Sequence, residues 1–340
     1  MRTARLIAFV CLMTLLIGSA ASAQSAAEFF KGRQMTLVIG FNVGGAFDPY
    51  GRTLVRHMPK HLPGGPNFIV RNMQGAGSIN AANYIYNRAP RDGSEFGLVA
   101  GTAPLEPLFG VIPTQFDSQK FTWIGSANTE VGACFSWHES PIKTVQDLFS
   151  REMITGAAGS TTVSFPDGLN AMLGTKLKLV KGYPGVAAVW IAMERREVEG
   201  ACGMIYSSLQ AAHPDWLTEK KVNTLIQIGY RKNPNLPDVP FVMDLAKTEE
   251  ERQVFNLLFG WTVMGRPFLA PPEVPADRAA ALRKAFDDTM KDPAFLEETA
   301  KLRLDIDPLP GAEIDKFLAE IFKTPKPVVE KANAILGTSR

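Results

Sequence analysis

The 340-residue chain has 36 lysines and arginines against 34 aspartates and glutamates, and 46% of its residues are hydrophobic. This length and composition are typical of two globular domains of ordinary size. The nearly balanced charge argues against nucleic acid or an anionic membrane as the partner, because those surfaces select clustered basic side chains.

The first 23 residues have the pattern of a secretory signal peptide. Arg2 and Arg5 precede an apolar run from Leu6 to Ile17, and Ala21-Ser22-Ala23 predicts cleavage after Ala23. The run is shorter than the ~20 residues that a bilayer span needs, and Cys11 lies inside it rather than after a cleavage box. We therefore expect a soluble periplasmic protein without a lipid anchor. Loss of the two arginines leaves 34 basic residues against 34 acidic ones, a formally neutral mature chain.

The first part of the mature chain alternates predicted strands with predicted helices. The strand MTLVIGF begins at Met35, the pair Gly44-Gly45 follows, and Asp48 and Pro49 are predicted as the N-cap and first residue of a helix. The order then repeats in the strand Phe68 to Asn72, the loop Gly75 to Ser78, the helix Ile79 to Asn87 and the strand Phe96 to Ala100. This alternation predicts an α/β domain with a mainly parallel sheet.

A second α/β set follows. Its predicted elements are the strand Met153 to Gly156, a loop from Ala157 to Thr161, a helix around Leu169 to Gly174, the strand Leu177 to Val180, the helix Val186 to Glu197 and the strand Val198 to Cys202. The C-terminal third is predicted to be helical, with amphipathic helices from Pro275 to Met290 and from Ala312 to Lys323.

The residue patterns that accompany catalysis or cofactor binding are missing from the sequence. There is no GxSxG elbow, no GxGxxG fingerprint and no Walker loop. His57 and His61 have the i, i+4 spacing of metal ligands, but Pro59 separates them and no third ligand is near. Glu194, Glu197 and Glu199 indicate a solvated charged surface rather than a general acid and base. We therefore expect no catalytic residues, no metal and no cofactor.

What remains is a set of small-residue loops that open helices. An open helix N-terminus offers unpaired backbone N–H groups and a positive dipole end, so it binds anions without a charged side chain. Each contributes at most ~2 kcal/mol, whereas micromolar binding needs about 8 kcal/mol. Several loops must therefore converge on one ligand; alternatively, each loop is only a tight connection.

Four stretches resemble the substrate-binding receptors of tripartite tricarboxylate transporters, also called Bug receptors. These stretches are VIGFNVGGAFDPYGRTLVRHMPKHLPG, VRNMQGAGSINAANYIYNRAPRDG, and LGTKLKLVKGYPG with IAMERREVEGACG. The resemblance implies a type II periplasmic binding protein fold, in which two α/β domains are joined by two crossing segments around a ligand cleft. Crossings near Gly125 to Thr129 and near Leu225 to Tyr230 would divide the chain into domain I, residues 24–125 plus 230–340, and domain II, residues 126–229.

The resemblance also implies a ligand carboxylate held by backbone amides of loops from both domains. The ligand-binding residues implied are Gly44, Gly45, Ala46, Phe47, Asp48, Gly75, Ala76, Gly77, Ser78, Thr102 and Ala103 in domain I, and Gly159, Ser160, Thr161, Tyr183, Pro184 and Gly185 in domain II. The chain departs from the family at Val43, where proline is usual, and at Arg196 to Gly200, where Gly-Glu-Val-Asp-Gly is usual. Phe47 and Phe165 would add aromatic surface, or else belong to the core.

Cys134 and Cys202 are the only cysteines of the mature chain. In the implied fold, the strand entering domain II inserts beside the third strand of its sheet, which makes the segments of these two residues neighbours. An oxidising compartment then favours a disulfide. The alternative is two buried thiols that never meet.

The sequence thus predicts a passive receptor, not an enzyme, that binds a small organic carboxylate as a monomer and delivers it to integral membrane transporter subunits. Two alternatives remain open at this point. One is a secreted hydrolase or lyase that uses Ser160 or the Glu194 to Glu199 group, and the other is a receptor that serves a sensor kinase.

Overall fold

The structure, a computed structural model, describes residues 24–158 and 160–337, so the predicted signal peptide and its cleavage site lie outside the described residues. The described chain forms two β-sheets with helices packed around them. The strands in chain order are β1 Gln34–Ile39, β2 Asn67–Asn72, β3 Glu95–Leu98, β4 Thr122–Ser126, β5 Gly132–Trp137, β6 Met153–Ala157, β7 Leu177–Lys181, β8 Gly200–Ile205, β9 Val222–Ile228, β10 Pro267–Ala270 and β11 Leu309–Pro310.

The helices vary from one turn to four turns. They are α1 Ala26–Phe30, α2 Asp48–His57, α3 Ile79–Asn87, α4 Glu106–Phe109, α5 Asp147–Ser150, α6 Ser160–Leu173, α7 Val186–Glu194, α8 Tyr206–Ala212, α9 Pro214–Thr218, α10 Val242–Leu245, α11 Glu249–Phe259, α12 Ala276–Thr289, α13 Pro293–Lys301, α14 Gly311–Ile321 and α15 Lys326–Ile335. Short 3-10 helices lie at Met58–Lys60, Ala76–Ser78, Ala103–Leu105, Ser118–Lys120 and Gly260–Met264. Within the described ranges, no helix has the length and apolar character that crossing a membrane requires.

The first sheet has the strand order β11-β4-β10-β3-β1-β2. Strand β1 is parallel to β2 and β3, while β10 is antiparallel to β3 and β4. Met35 and Leu37 of β1, Phe96 of β3 and Phe268 of β10 are fully buried and share one hydrophobic cluster with Phe286 of α12. The sheet is therefore mixed, and residues from both ends of the chain build it.

The second sheet has the order β7-β6-β8-β5-β9. Strand β6 is parallel to β7 and β8, whereas β5 is antiparallel to β8 and β9. Cys134 of β5 lies opposite Cys202 of β8, and the two form a disulfide with Cα atoms 3.8 Å apart. Both the α/β fold with two sheets and the disulfide between these cysteines are confirmed.

The chain passes from the first sheet to the second between β4 and β5, through residues 127–131, and returns between β9 and β10, through residues 229–266. The C-terminal helices α12 and α14 contact β4 of the first sheet. This connectivity agrees with a two-crossing architecture. The domain boundaries after residues 125 and 229 stay a prediction.

The structure differs from the sequence-based elements in several places. The C-terminal third contains β10 and β11, because a four-residue apolar strand has no periodicity that separates it from a helix. Helix α6 begins at Ser160, well before the predicted Leu169, and includes Pro166. Helix α7 ends at Glu194 rather than Glu197, followed by a turn in which Arg196 has a φ of +61°.

Candidate functional site

A cavity of about 880 Å³ lies between the two sheets. From the first sheet and the loops and helices beside it, the cavity is lined by Phe47, Ala100, Gly101, Thr102, Leu105, Glu106, Phe109 and Val111. The segments that connect the sheets and the C-terminal end add Glu130, Leu257, Leu258, Trp261, Gly265, Arg266 and Leu336. From the side of the second sheet it is lined by Ala157, Ala158, Thr161, Val163, Ser164, Asp167, Lys181, Gly182, Tyr183 and Ile205. Its volume is within the range of pockets that hold small molecules.

The N-terminal end of α6 borders this cavity. Strand β6 ends at Ala157, and Ala157, Ala158 and Thr161 all line the cavity. Strand β8 approaches this first turn closely at Gly203. A Cβ at this position would lie 2.1 Å from the Thr161 carbonyl oxygen, and the φ of +76° also favours glycine. The first N–H groups of a helix have no partner within the helix, so this end of the cavity is suited to an anion.

The loop before α2 is held by Asp48 rather than left free for a ligand. The Asp48 carboxylate accepts hydrogen bonds from the Gly44 N–H, from Arg52 Nε and from Asn72 Nδ2, each at 2.9 Å. Burial by itself would raise the pKa of Asp48, but the hydrogen bonds from Arg52, Gly44 and Asn72 outweigh it and lower the pKa. Asp48 is the first residue of α2 instead of its N-cap, and its role is to fix the loop.

Fixing this loop places Phe47 at the cavity. The Phe47 ring stacks on the Phe41 ring with centroids 3.9 Å apart. The Arg266 guanidinium carbon lies 4.3 Å from the centroid of the Phe47 ring. Arg266 Nη1 donates to Glu130 Oε1 at 2.7 Å, and both side chains are largely buried. The cation beside Phe47 is therefore already paired with a carboxylate of the protein.

The loop from Gly75 to Ser78 has an unusual backbone. All four residues have positive φ, including Ala76 at +49° and Ser78 at +75°. The Ala100 N–H donates to Ser78 Oγ at 2.8 Å, which connects this loop to the segment carrying Gly101 and Thr102. The loop therefore supports a cavity wall without lining the cavity itself.

Four of the residues predicted to bind ligand line the cavity: Phe47, Thr102, Thr161 and Tyr183. Those described but outside its lining are Gly44, Gly45, Ala46, Asp48, Gly75, Ala76, Gly77, Ser78, Ala103, Pro184 and Gly185. Ser160 begins α6, and Gly159 lies outside the described residues. Phe165 is fully buried in the core, its ring centroid 4.8 Å from that of Phe259.

Sequence reasoning missed the charged and aromatic residues that later parts of the chain add to the cavity. Arg266 and Glu130 come together from positions 136 residues apart. Trp261 comes from a 3-10 helix that the sequence did not indicate, and Asp167 lies in the part of α6 that precedes the predicted helix around Leu169. No spacing in the sequence marks these residues, because only the tertiary fold brings them together.

The groups considered for catalysis or metal binding lie elsewhere. Glu194 and Glu197 are exposed, and Glu199 accepts a hydrogen bond from the Ile154 N–H at 2.8 Å. His57 Nε2 contacts Glu298 at 2.6 Å and His61 Nε2 contacts Asp292 at 2.7 Å, so both histidines connect α2 and the turn after it to α13. In residues 24–158 and 160–337, no cluster of three His, Cys, Asp or Glu residues is arranged to hold a metal ion.

The chain resembles known proteins over nearly its full length. The family model described as the tripartite tricarboxylate transporter family receptor matches residues 51–334. A relative from Cupriavidus necator, described as a UPF0065 protein in the gbd 5′ region, is 26% identical over 94% of this chain and 93% of its own length. A relative from Agrobacterium vitis, a UPF0065 protein from the ttuE-ttuC′ intergenic region, is also 26% identical, over 90% and 86%.

Solved structures share the fold. A TctC solute-binding protein from Polaromonas superposes with a TM-score of 0.70 at 19% identity, covering 88% of this chain and 98% of its own. MatC from Rhodopseudomonas palustris, solved with bound malate, has a TM-score of 0.57 at 19% identity, with 88% and 99% covered. An R. palustris protein solved with adipate has a TM-score of 0.55 at 20% identity, with 90% and 97% covered. Since the family model covers most of the sequence and the fold agrees, this chain belongs to the tripartite tricarboxylate transporter receptor family.

Proposed function

We propose that this protein is a passive receptor that binds a small organic carboxylate between its two sheets. The observation that carries the proposal is the N-terminal end of α6, which borders a cavity of about 880 Å³ between the sheets. An anion at this position would be stabilised by the positive end of the dipole of α6. The malate and adipate held by two proteins of the same fold support the choice of ligand class.

The predicted contacts and domain boundaries form part of this proposal. Domain I would comprise residues 24–125 and 230–340, and domain II residues 126–229. Phe47 and Thr102 would contact the ligand from domain I, and Thr161 and Tyr183 from domain II. The loops at residues 44–48, 75–78 and 183–185 would support or extend this grip when the domains close over the ligand.

The proposed cycle contains no covalent chemistry. The protein would act in the periplasm as a monomer, after cleavage behind Ala23, and would deliver its ligand to membrane subunits of a transporter. Of the groups considered for hydrolase or lyase chemistry, the Glu194 to Glu199 group lies outside the cavity lining, while Ser160 begins the helix that borders it.

The test measures binding and chemical change in the same sample. Purified protein, freed of any bound compound, is incubated with mono- and dicarboxylates, and its unfolding is followed while the acid is analysed by mass spectrometry. A receptor is stabilised by about 2.7 kcal/mol at a ligand concentration 100 times Kd and leaves the acid unchanged. Conversion of the acid would instead establish an enzyme.

A steric variant tests the location. Ala158→Trp places a large side chain in the cavity and should abolish the stabilisation by ligand. Ala280→Trp adds the same side chain at an exposed position of α12 and should leave binding unchanged. Equal binding by both variants would contradict the proposed site.

A further inference from the structure

Helix α6 gives the cavity two chemically different regions. Thr161 and Asp167 both line it, and six residues of helix separate them by about 9 Å along the axis. The first turn presents backbone N–H groups, whereas Asp167 presents a carboxylate. The cavity is therefore electrically asymmetric along this helix.

The N-terminal region carries a further positive group. Lys181 lines the cavity and lies opposite Ala157 in the parallel pairing of β6 and β7. It therefore lies at the same end of the second sheet as the first turn of α6. Across the described ranges, no acidic side chain forms an ion pair with Lys181, so its charge is available to an anion at this end of the cavity.

The region around Asp167 differs. Asp167 is half-buried, and within the described part of the chain its carboxylate has no hydrogen-bond or ion-pair partner. Helix α11 packs close by, since a Cβ on the adjacent Gly168 would lie 2.9 Å from Leu258 Cδ1. A second carboxylate placed here would meet an unneutralised negative charge beside an apolar surface.

Much of the cavity lining is apolar. Phe47, Leu105, Phe109, Val111 and Trp261 contribute aromatic and aliphatic surface. The one arginine in the lining, Arg266, is already paired with Glu130 at 2.7 Å. A small, highly polar diacid would leave most of a cavity of about 880 Å³ filled with water and would gain little from these walls.

We infer that the ligand is a monocarboxylate with an extended apolar body, and that Asp167 selects against a second carboxylate at the far end. The inference rests on the proposed function and specifies its ligand class. The carboxylate binds at the first turn of α6 near Lys181, and the apolar body runs along the helix towards Asp167. An uncharged or cationic terminus is accepted there.

The experiment uses three probes of equal chain length: octanoate, octanedioate and 8-aminooctanoate. Calorimetry measures their affinities for the wild type and for Asp167→Asn, which keeps the side-chain shape and removes the charge. Asp238→Asn is the matched control, because Asp238 is exposed and lies outside the cavity lining. Thermal unfolding of each variant verifies that it folds.

The wild type should bind octanoate at least about tenfold more tightly than octanedioate, because placing like charges together in a binding site is costly. Asp167→Asn should reduce this ratio several-fold by strengthening octanedioate binding and should weaken 8-aminooctanoate binding. Asp238→Asn should reproduce the wild-type values.

Two outcomes overturn the inference while preserving the proposed function. One is octanedioate binding to the wild type at least as tightly as octanoate, and the other is an unchanged ratio in Asp167→Asn. Failure of every acid, including the short dicarboxylates of the function test, would reject the proposed function and the inference together.

Discussion

Arg266 and Glu130 form a largely buried ion pair between the two segments that connect the sheets. Arg266 immediately precedes β10, Glu130 lies between β4 and β5, and Nη1 of the arginine is 2.7 Å from Oε1 of the glutamate. The backbone of the same segments is joined as well, since the Glu130 N–H donates to the Thr262 carbonyl at 2.7 Å. The pair therefore lies where the chain passes between sheets and also lines the cavity.

Glu130→Ala should lower the free energy of unfolding by about 3 kcal/mol, because it leaves Arg266 charged and unpaired in a buried position. The double variant Glu130→Ala/Arg266→Met should lose less unfolding free energy than Glu130→Ala alone, because it also removes the unpaired buried charge of Arg266. Urea denaturation of the wild type, both single variants and the double variant gives the coupling energy. Additive effects would contradict a coupled pair.

The disulfide between Cys134 and Cys202 should stabilise the second sheet. The bond joins β5 to β8 and closes a loop with a sequence separation of 68 residues. In the chain-entropy account, a loop of this length contributes roughly 4 kcal/mol. Cys134→Ala/Cys202→Ala should therefore unfold at lower denaturant concentration than the oxidised wild type.

Reduction provides the control for that prediction. A thiol reductant should bring the wild type close to the double variant and leave the double variant itself unchanged. Two free thiols titrated in unreduced, denatured wild-type protein would contradict the disulfide.

Local patterns predicted much of the fold. The helix Ile79–Asn87 has the predicted bounds, and the strands at Asn67–Asn72 and Leu177–Lys181 are within one residue of them. These elements have clear breakers beside them, with glycines at 75 and 77 and at 174 and 182. Local chemistry therefore decides their limits.

The site was less accessible to sequence reasoning. Small-residue loops indicated that helix N-termini would face an anion, and Thr161 does line the cavity. The same reasoning did not show that the Asp48 carboxylate would accept hydrogen bonds from Gly44, Arg52 and Asn72 of the protein itself. It also could not find Arg266 or Trp261, because Arg266 contacts Glu130 and Trp261 contacts Phe165, and both partners are distant in the sequence. Tertiary proximity, rather than residue type, decides membership of this cavity.

Trp261 should report ligand binding by fluorescence. It is the one of the five tryptophans that lines the cavity, and Trp123 and Trp216 are fully buried elsewhere. A bound acid should change the polarity around the Trp261 indole ring and hence its emission. Trp261→Phe should remove most of the emission change that octanoate produces.

Trp190→Phe is the control for this measurement. Trp190 lies in α7, outside the cavity, with its ring centroid 4.7 Å from that of His213. This variant should keep the full response to ligand. A response lost equally in both variants would show that the emission change does not come from the cavity.

Two acidic residues, Asp292 at the N-cap of α13 and Glu298 within it, should make the stability of the protein depend on acidic pH. A hydrogen bond from Lys60 lowers the pKa of Asp292 despite the opposing effect of desolvation, and His61 adds to the lowering. Arg56 and then His57 lower the pKa of Glu298 in the same way. A carboxyl group whose pKa is lower in the folded state stabilises the protein above its unfolded pKa, near 3.8 for Asp292 and 4.5 for Glu298. This stabilisation is lost as the pH falls through the folded-state values.

Asp292→Asn/Glu298→Gln should therefore have a lower Tm than the wild type at pH 7, and the difference should narrow as the pH falls below about 4. Asparagine at position 292 can still accept the Ala294 N–H that caps α13, so the variant tests the charges rather than the cap. Glu297→Gln, which removes an exposed i, i+4 pair with Lys301 on the same helix, should change the Tm little at either pH. A Tm difference that stayed constant from pH 7 to pH 3 would show that the two carboxylates do not act through their charge.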